Sequence, residues 1–289
     1  MHTADLARLV ALAAVWGLAF VFIRVAVPPL GPVVLTELRA LIAGVVLTLY
    51  IWRRGARLGG PGHWPRFLVL GLFGGAAPFV LIAAAEEAMT ASFTVILVAT
   101  ASLFSALIAA MWAKEPLTLP KVSGLILGVA GVALLVGWKP AGAKLPPVWA
   151  IAATLAAAAM YGFVSVYTKL KASDIPPLVA APGSQLGAAV LLLPLIPFAP
   201  PVAAPSAIAW ASVLALALLS SSLAMLLYFR LIANIGPVKT LTVNFLSPLF
   251  GVAGGALLLG EPISANMVVG TAVILAGTAL VLREAPSRR

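Results

Sequence analysis

Residues 235–262 read IGPVKTLTVNFLSPLFGVAGGALLLGEP. About 20 apolar residues, rising 1.5 Å each, span the roughly 30 Å hydrocarbon core of a bilayer, and this stretch is long enough to do so. Thr240, Asn244 and Ser247 fall at i, i+4 and i+7, so they share one helix face. Pro248 follows near the middle of the span. Proline has no N–H, so the carbonyl of Asn244 loses its helical partner and the helix should bend there. A polar stripe beside a freed carbonyl is tolerated at membrane depth only where it faces protein or water. A site for a small molecule inside a bilayer would look like this.

The stretch has a copy 146 residues upstream. Thr240 falls on Thr94, Leu249–Phe250 on Leu103–Phe104 and Glu261–Pro262 on Glu115–Pro116. Further along, Gly270 falls on Gly124 and Ala276–Gly277 on Ala130–Gly131. Near the start of each half, Trp16–Gly17 matches Tyr161–Gly162 at an offset of 145. The chain therefore reads as two repeats, residues 1–143 and 144–289. Internal repeats of this size are a signature of membrane carriers.

Composition agrees. Of 289 residues, 63% are apolar and 9% charged, and the mean hydropathy is +1.14. A soluble domain of this size needs more polar surface to meet water. The reading is an all-α integral membrane protein of ten spans, near 6–26, 32–52, 66–85, 90–112, 120–138, 148–170, 177–199, 207–230, 237–259 and 264–283. The net charge of +10 comes without a basic helix or an aromatic-interleaved patch, so no nucleic-acid partner is expected. The chain has no Cys, and His2 and His63 lie outside the spans, so neither metal nor cofactor is expected.

The excess of Lys and Arg sets the orientation. With the N-terminus inside, 13 of the 18 fall on the cytoplasmic side, among them Arg53, Arg54, Arg57, Lys114, Lys121, Lys169 and Arg283. Only Arg24, Lys139 and Lys144 fall outside, while Arg39 and Lys239 lie within spans. Both termini are expected in the cytoplasm. Each half has an odd number of spans, so the second runs inverted with respect to the first. Inverted repeats place a site near the bilayer midplane, around a central cavity.

Trp16–Gly17, the Pro32…Arg39 start of the second span and the two Glu-Pro junctions carry a resemblance. Each junction is followed by a glycine pair, Gly124 and Gly131 in one half and Gly270 and Gly277 in the other. The chain resembles the EamA family of the drug/metabolite transporter superfamily, and within it the YddG-type amino-acid exporters. The resemblance covers essentially the whole chain. It implies a ten-helix carrier of the inner (cytoplasmic) membrane that exports small metabolites by alternating access.

Several groups of residues are candidates for the site. Tyr161, Ser165 and Thr168 share a face of span six, where the other half has Trp16, Phe20 and Ile23. Ser220–Ser222, Met225 and Tyr228 in span eight match Gly74–Ala76, Phe79 and Ile82. Pro78 is a second expected kink beside Pro248. Glu86 lies on the face of Phe79 and Ile82, where it would line an outer mouth or an acidic surface. Arg24, Glu37 and Arg39 suggest an ion pair ordering the first hairpin, with a carboxylate-binding Arg39 as the alternative. The candidate substrate contacts are Trp16, Phe20, Phe79, Glu86, Thr94, Tyr161, Ser165, Met225, Thr240, Asn244 and Ser247. With no clear mid-span charge, the expected substrate is a neutral or aromatic amino acid and the expected protein a monomer, not an enzyme. A drug or other metabolite carrier of the same fold is the alternative. A lipid-modifying membrane enzyme would need clustered His, Asp or Glu at an interface, which the sequence does not supply.

Orientation is directly testable because a cysteine introduced at 57 would be unique. It should react with an impermeant thiol reagent only in inverted vesicles. Labelling from outside intact cells would reverse the assignment.

Overall fold

The computed structural model describes residues 2–137, 146–235, 240 and 242–282, and every regular element among them is helical. The expected repeat boundary at 143/144, the expected start of span nine, and Lys139, Lys144, Lys239 and Arg283 lie outside the described residues. Among the described residues, eight helical stretches are long and apolar enough to cross a membrane. The bilayer core offers no water to a backbone amide, so helices that satisfy their own N–H and C=O groups are the natural solution.

The first element, α1 (Thr3–Arg53), departs from expectation. Spans 6–26 and 32–52 were expected as separate helices, yet they meet at a single non-helical residue, Gly31, at φ 72° and ψ 161°. Pro28, Pro29 and Pro32 lack amide hydrogens, so the ladder fails there, and glycine takes a φ that other residues avoid. A 51-residue helix would be about 76 Å long. That is more than twice the bilayer core, so the break at Gly31 divides it into two arms.

Next, α2 (Trp64–Gly71) runs through a π-helical segment, Leu72–Ala76, into α3 (Ala77–Glu86). Two short helices follow, α4 (Ala91–Val98) and α5 (Ala101–Trp112), and then α6 (Leu119–Gly137). The second half opens with α7 (Val148–Lys171) and α8 (Pro177–Leu192). Then α9 (Ala207–Leu214) passes through a second π-helical segment, Ala215–Leu223, into α10 (Ala224–Ile235). The last two are α11 (Val243–Leu259), apolar but only 17 residues long, and α12 (Ala265–Leu282). Leu119, Val129, Phe198 and Leu257 are exposed, as side chains facing lipid should be.

Two contacts hold the frame. Helices α6 and α12 cross backbone to backbone, where a Cβ on Gly124 would lie 2.5 Å from the Gly277 carbonyl oxygen. Small residues at such a crossing allow the close approach that drives helix association in lipid. Elsewhere, the Glu261 carboxylate accepts from the N–H groups of Ala91 (2.8 Å) and Ser92 (2.9 Å). It thereby caps α4 with a charge-assisted pair of bonds where the helix would otherwise leave donors unmet.

The crossing gives a stability prediction. Gly277→Leu should destabilise the protein in detergent by the overpacking cost of roughly 1–3 kcal/mol, and so lower its unfolding midpoint. Gly60→Leu, where a Cβ would meet nothing within 4 Å, should leave it unchanged. Equal midpoints in the two variants would contradict this packing.

Candidate functional site

A cavity of about 590 Å³ lies between the two halves of the chain. Of the residues singled out from the sequence, Trp16, Phe20, Phe79, Tyr161, Ser165, Met225, Asn244, Ser247 and Pro248 line it. Trp16 packs 5.6 Å from Tyr228 and donates from its indole Nε1 to the Ser220 carbonyl at 3.3 Å. Phe79 meets Tyr161 at 6.3 Å. The Ser247 hydroxyl donates back to the Val243 carbonyl at 3.0 Å, one turn below the Pro248 gap. The Asn244 side chain makes no hydrogen bond to the described residues and faces the cavity.

Other candidates lie elsewhere. Thr94 and Thr240 are fully buried outside the lining, and the Thr94 hydroxyl donates to the Thr90 carbonyl at 2.9 Å. Pro78 is buried in the first turn of α3, also outside the lining. Glu86 neither lines the cavity nor lies on a surface. It is fully buried at the end of α3, with Arg24 donating to its backbone carbonyl. Phe79 and Ile82 on the same helix face line the cavity, but Glu86 does not.

The expected ion pair among Arg24, Glu37 and Arg39 does not form among the described residues. Glu37 sits two residues before Arg39 and so projects from another side of the helix. Arg39 instead reaches across to the second half. Its Nε donates to Ser221 Oγ at 2.8 Å and its Nη2 to Ser220 Oγ at 3.4 Å. Its guanidinium lies 3.7 Å over the Phe79 ring. Both serines belong to the π-helical segment, a kind of irregularity that often marks functional positions.

At its other end the cavity reaches Glu115, Lys121 and Lys169. Glu115 accepts from Lys169 Nζ at 2.9 Å and from Lys121 Nζ at 3.1 Å. The Lys169 hydrogen bond, then that of Lys121, holds its carboxyl below the usual carboxylate range. Glu115 and Glu261, counterparts in the two halves, thus have different partners. One binds two lysines at the cavity mouth and the other caps α4.

The sequence of residues 6–137 and again of residues 148–283 matches the EamA-like transporter family. The chain belongs to that family. Its relatives include a protein named "Uncharacterized transporter" from Archaeoglobus fulgidus, 23% identical over 93% of this chain and 95% of its own length. A protein of Streptantibioticus cattleyicolor named "Probable terminal-alkyne amino-acid exporter" is 28% identical, over 95% of this chain and 92% of its own. The Escherichia coli K12 protein named "Uncharacterized inner membrane transporter YedA" is 26% identical, over 94% of this chain and 89% of its own. A solved crystal structure shares the fold, with a TM-score of 0.64 at 23% identity over 97% of this chain and 96% of that one. The chain is a multi-pass membrane transporter.

Two cavity features escaped the sequence reading, Gln185 and the Glu115 end, while Arg39 was read first as an ion-pair residue with carboxylate binding as the alternative. The signal for Arg39 was present. It has no acidic residue at i±3 or i±4, so any partner had to come from another helix. Gln185, 5% exposed, lies 146 residues after Arg39 and lines the same cavity, its Oε1 unpartnered.

The Glu115 bridges should depend on pH with a definite sign. A depressed carboxyl contributes stability above its ordinary value, about 4.3, and loses it as pH falls through the lower folded-state value. The melting difference between wild type and Glu115→Gln should persist from neutral pH to below that ordinary value, then vanish in stronger acid. A difference that grows on acidification would contradict the pairing.

Proposed function

We propose that this transporter exports neutral or aromatic amino acids from the cytoplasm by alternating access, without chemically changing them. The cavity carries the reading. It combines the aromatic surface of Trp16, Phe20 and Phe79 with polar groups at Ser165, Ser220, Ser221 and Asn244. Its volume lies within the roughly 300–1,000 Å³ range of small-molecule sites, large enough for an amino acid with an aromatic side chain. The name of the Streptantibioticus relative points to the same substrate class.

The architecture proposed is ten crossings in two inverted five-helix repeats, 1–143 and 144–289. The break at Gly31 makes two crossings of α1, and α11 supplies another. The family matches the chain twice, in tandem. Shifted by 146 residues, the π-helical segment Leu72–Ala76 falls within the second, Ala215–Leu223. Close contacts agree as well: Gly17 abuts Phe250, and its counterpart Gly162 abuts Phe104. Both termini and the Glu115 end of the cavity are assigned to the cytoplasm from the Lys/Arg bias. The protein is assigned to the inner membrane as a monomer.

Purified protein in proteoliposomes, assayed with a panel of amino acids with and without a proton gradient, tests this reading. Asn244→Leu keeps the volume and removes the amide, so it should raise apparent KM. Pro248→Ala should restore the missing hydrogen bond, straighten α11 and mainly lower turnover. Wild-type flux in both purified variants would reassign the stripe to helix packing. Absence of flux with every amino acid would overturn the substrate class.

A further inference from the structure

We infer that Arg39 is the substrate-binding residue that takes a carboxylate, so the transported molecule must carry one. The inference rests on the reading of the cavity as the transport site and narrows its ligand. Arg39 is 7% exposed, and what it exposes borders the cavity. Within the lining, Glu115, Lys121 and Lys169 pair with one another, so Arg39 is the one charged side chain there without an ionic partner among the described residues. A permanent cation inside a membrane span is costly, and such residues usually pair or mark a substrate path.

The hydrogen-bond inventory shows what is left to bind. A guanidinium has five N–H donors in a planar fork. Arg39 commits Nε to Ser221 and Nη2 to Ser220. Both hydrogens of Nη1 and the second of Nη2 make no bond to the described residues. The remaining pair on the Nη1–Nη2 edge is the pair a carboxylate engages with two parallel bonds. Phe79, stacked at 3.7 Å, fixes the plane of the fork. Ser220, Ser221 and Phe79 are thus positioning residues. Gln185, the residue 146 positions on, is neutral, so the cavity presents one unpaired cation and not two. That suits a single carboxylate with an apolar or aromatic remainder.

Thermal unfolding of the purified full-length protein with three probes tests the inference: phenylalanine, phenylacetate and phenethylamine. Phenylalanine and phenylacetate should stabilise the wild type and phenethylamine should not. Arg39→Gln should weaken phenylalanine binding about ten- to a hundredfold, the range for a lost charge-assisted bond. Arg39→Lys keeps the charge without the fork, and Ser221→Ala keeps the fork but loosens it. Both should bind phenylalanine more weakly than the wild type, and they decide the matter if the Gln variant does not fold. The inference is overturned if no carboxylate stabilises the wild type, if phenethylamine matches phenylalanine, or if the Lys and Ala variants bind like wild type. A purely structural Arg39 would lower every variant's melting temperature and leave the ligand shift intact. Phenylacetate stabilisation that depends on Arg39, with no amino-acid flux, would defeat the amino-acid reading alone. Undiminished phenylalanine flux in Arg39→Gln would defeat the Arg39 assignment alone.

Discussion

Hydrocarbon offers no hydrogen bonds, and the rest of this structure follows from that constraint. An irregular backbone in a bilayer must be sheltered by protein or face water. Three of the interruptions described here border the cavity: Gly74 in the first π-helical segment, Ser220 and Ser221 in the second, and Pro248 in α11. The freed backbone groups and the cavity therefore share one region. The fourth interruption, Gly31, lies outside the lining and divides α1 into its two arms.

The two halves match where the frame is built and differ where a ligand would bind. The Gly124–Gly277 contact becomes the Gly270–Gly131 contact under the 146-residue shift, and both are backbone-close. Yet Glu261 caps α4 while its counterpart Glu115 binds Lys121 and Lys169 at the mouth. Trp16 stands where the second half has Tyr161, and Arg39 lies 146 residues before Gln185. Amino acids are themselves asymmetric, with charged groups at one end and a side chain at the other. An asymmetric site within the repeated frame suits the amino-acid substrate proposed above.

Much of this was legible in the sequence for physical reasons. Apolar runs of bilayer length mark the helices, and a constant offset marks the repeat. Residues midway along a polar face, such as Asn244 and Ser165, reach the cavity as expected. Thr240, one turn before Asn244, and Glu86, one turn beyond Ile82 on its own helix, do not. Helical periodicity tells which way a side chain points but not where along the helix the cavity ends. Neither π-helical segment has a sequence signature, so the placement of Ser220 and Ser221 under the Arg39 guanidinium was not readable. Near-continuity across Gly31 was also hidden, because the Pro28–Pro29 pair reads as a loop.

The central claim is that one cavity, alternately exposed to the two sides, carries an amino acid across the membrane. Counterflow tests it most directly. Proteoliposomes are preloaded with excess unlabelled phenylalanine, and a trace of labelled phenylalanine is added outside. A carrier should draw the label inward to a transient level above its outside concentration, and the overshoot should vanish when the internal pool is omitted. Simple equilibration without an overshoot, or no uptake at all, would contradict the account.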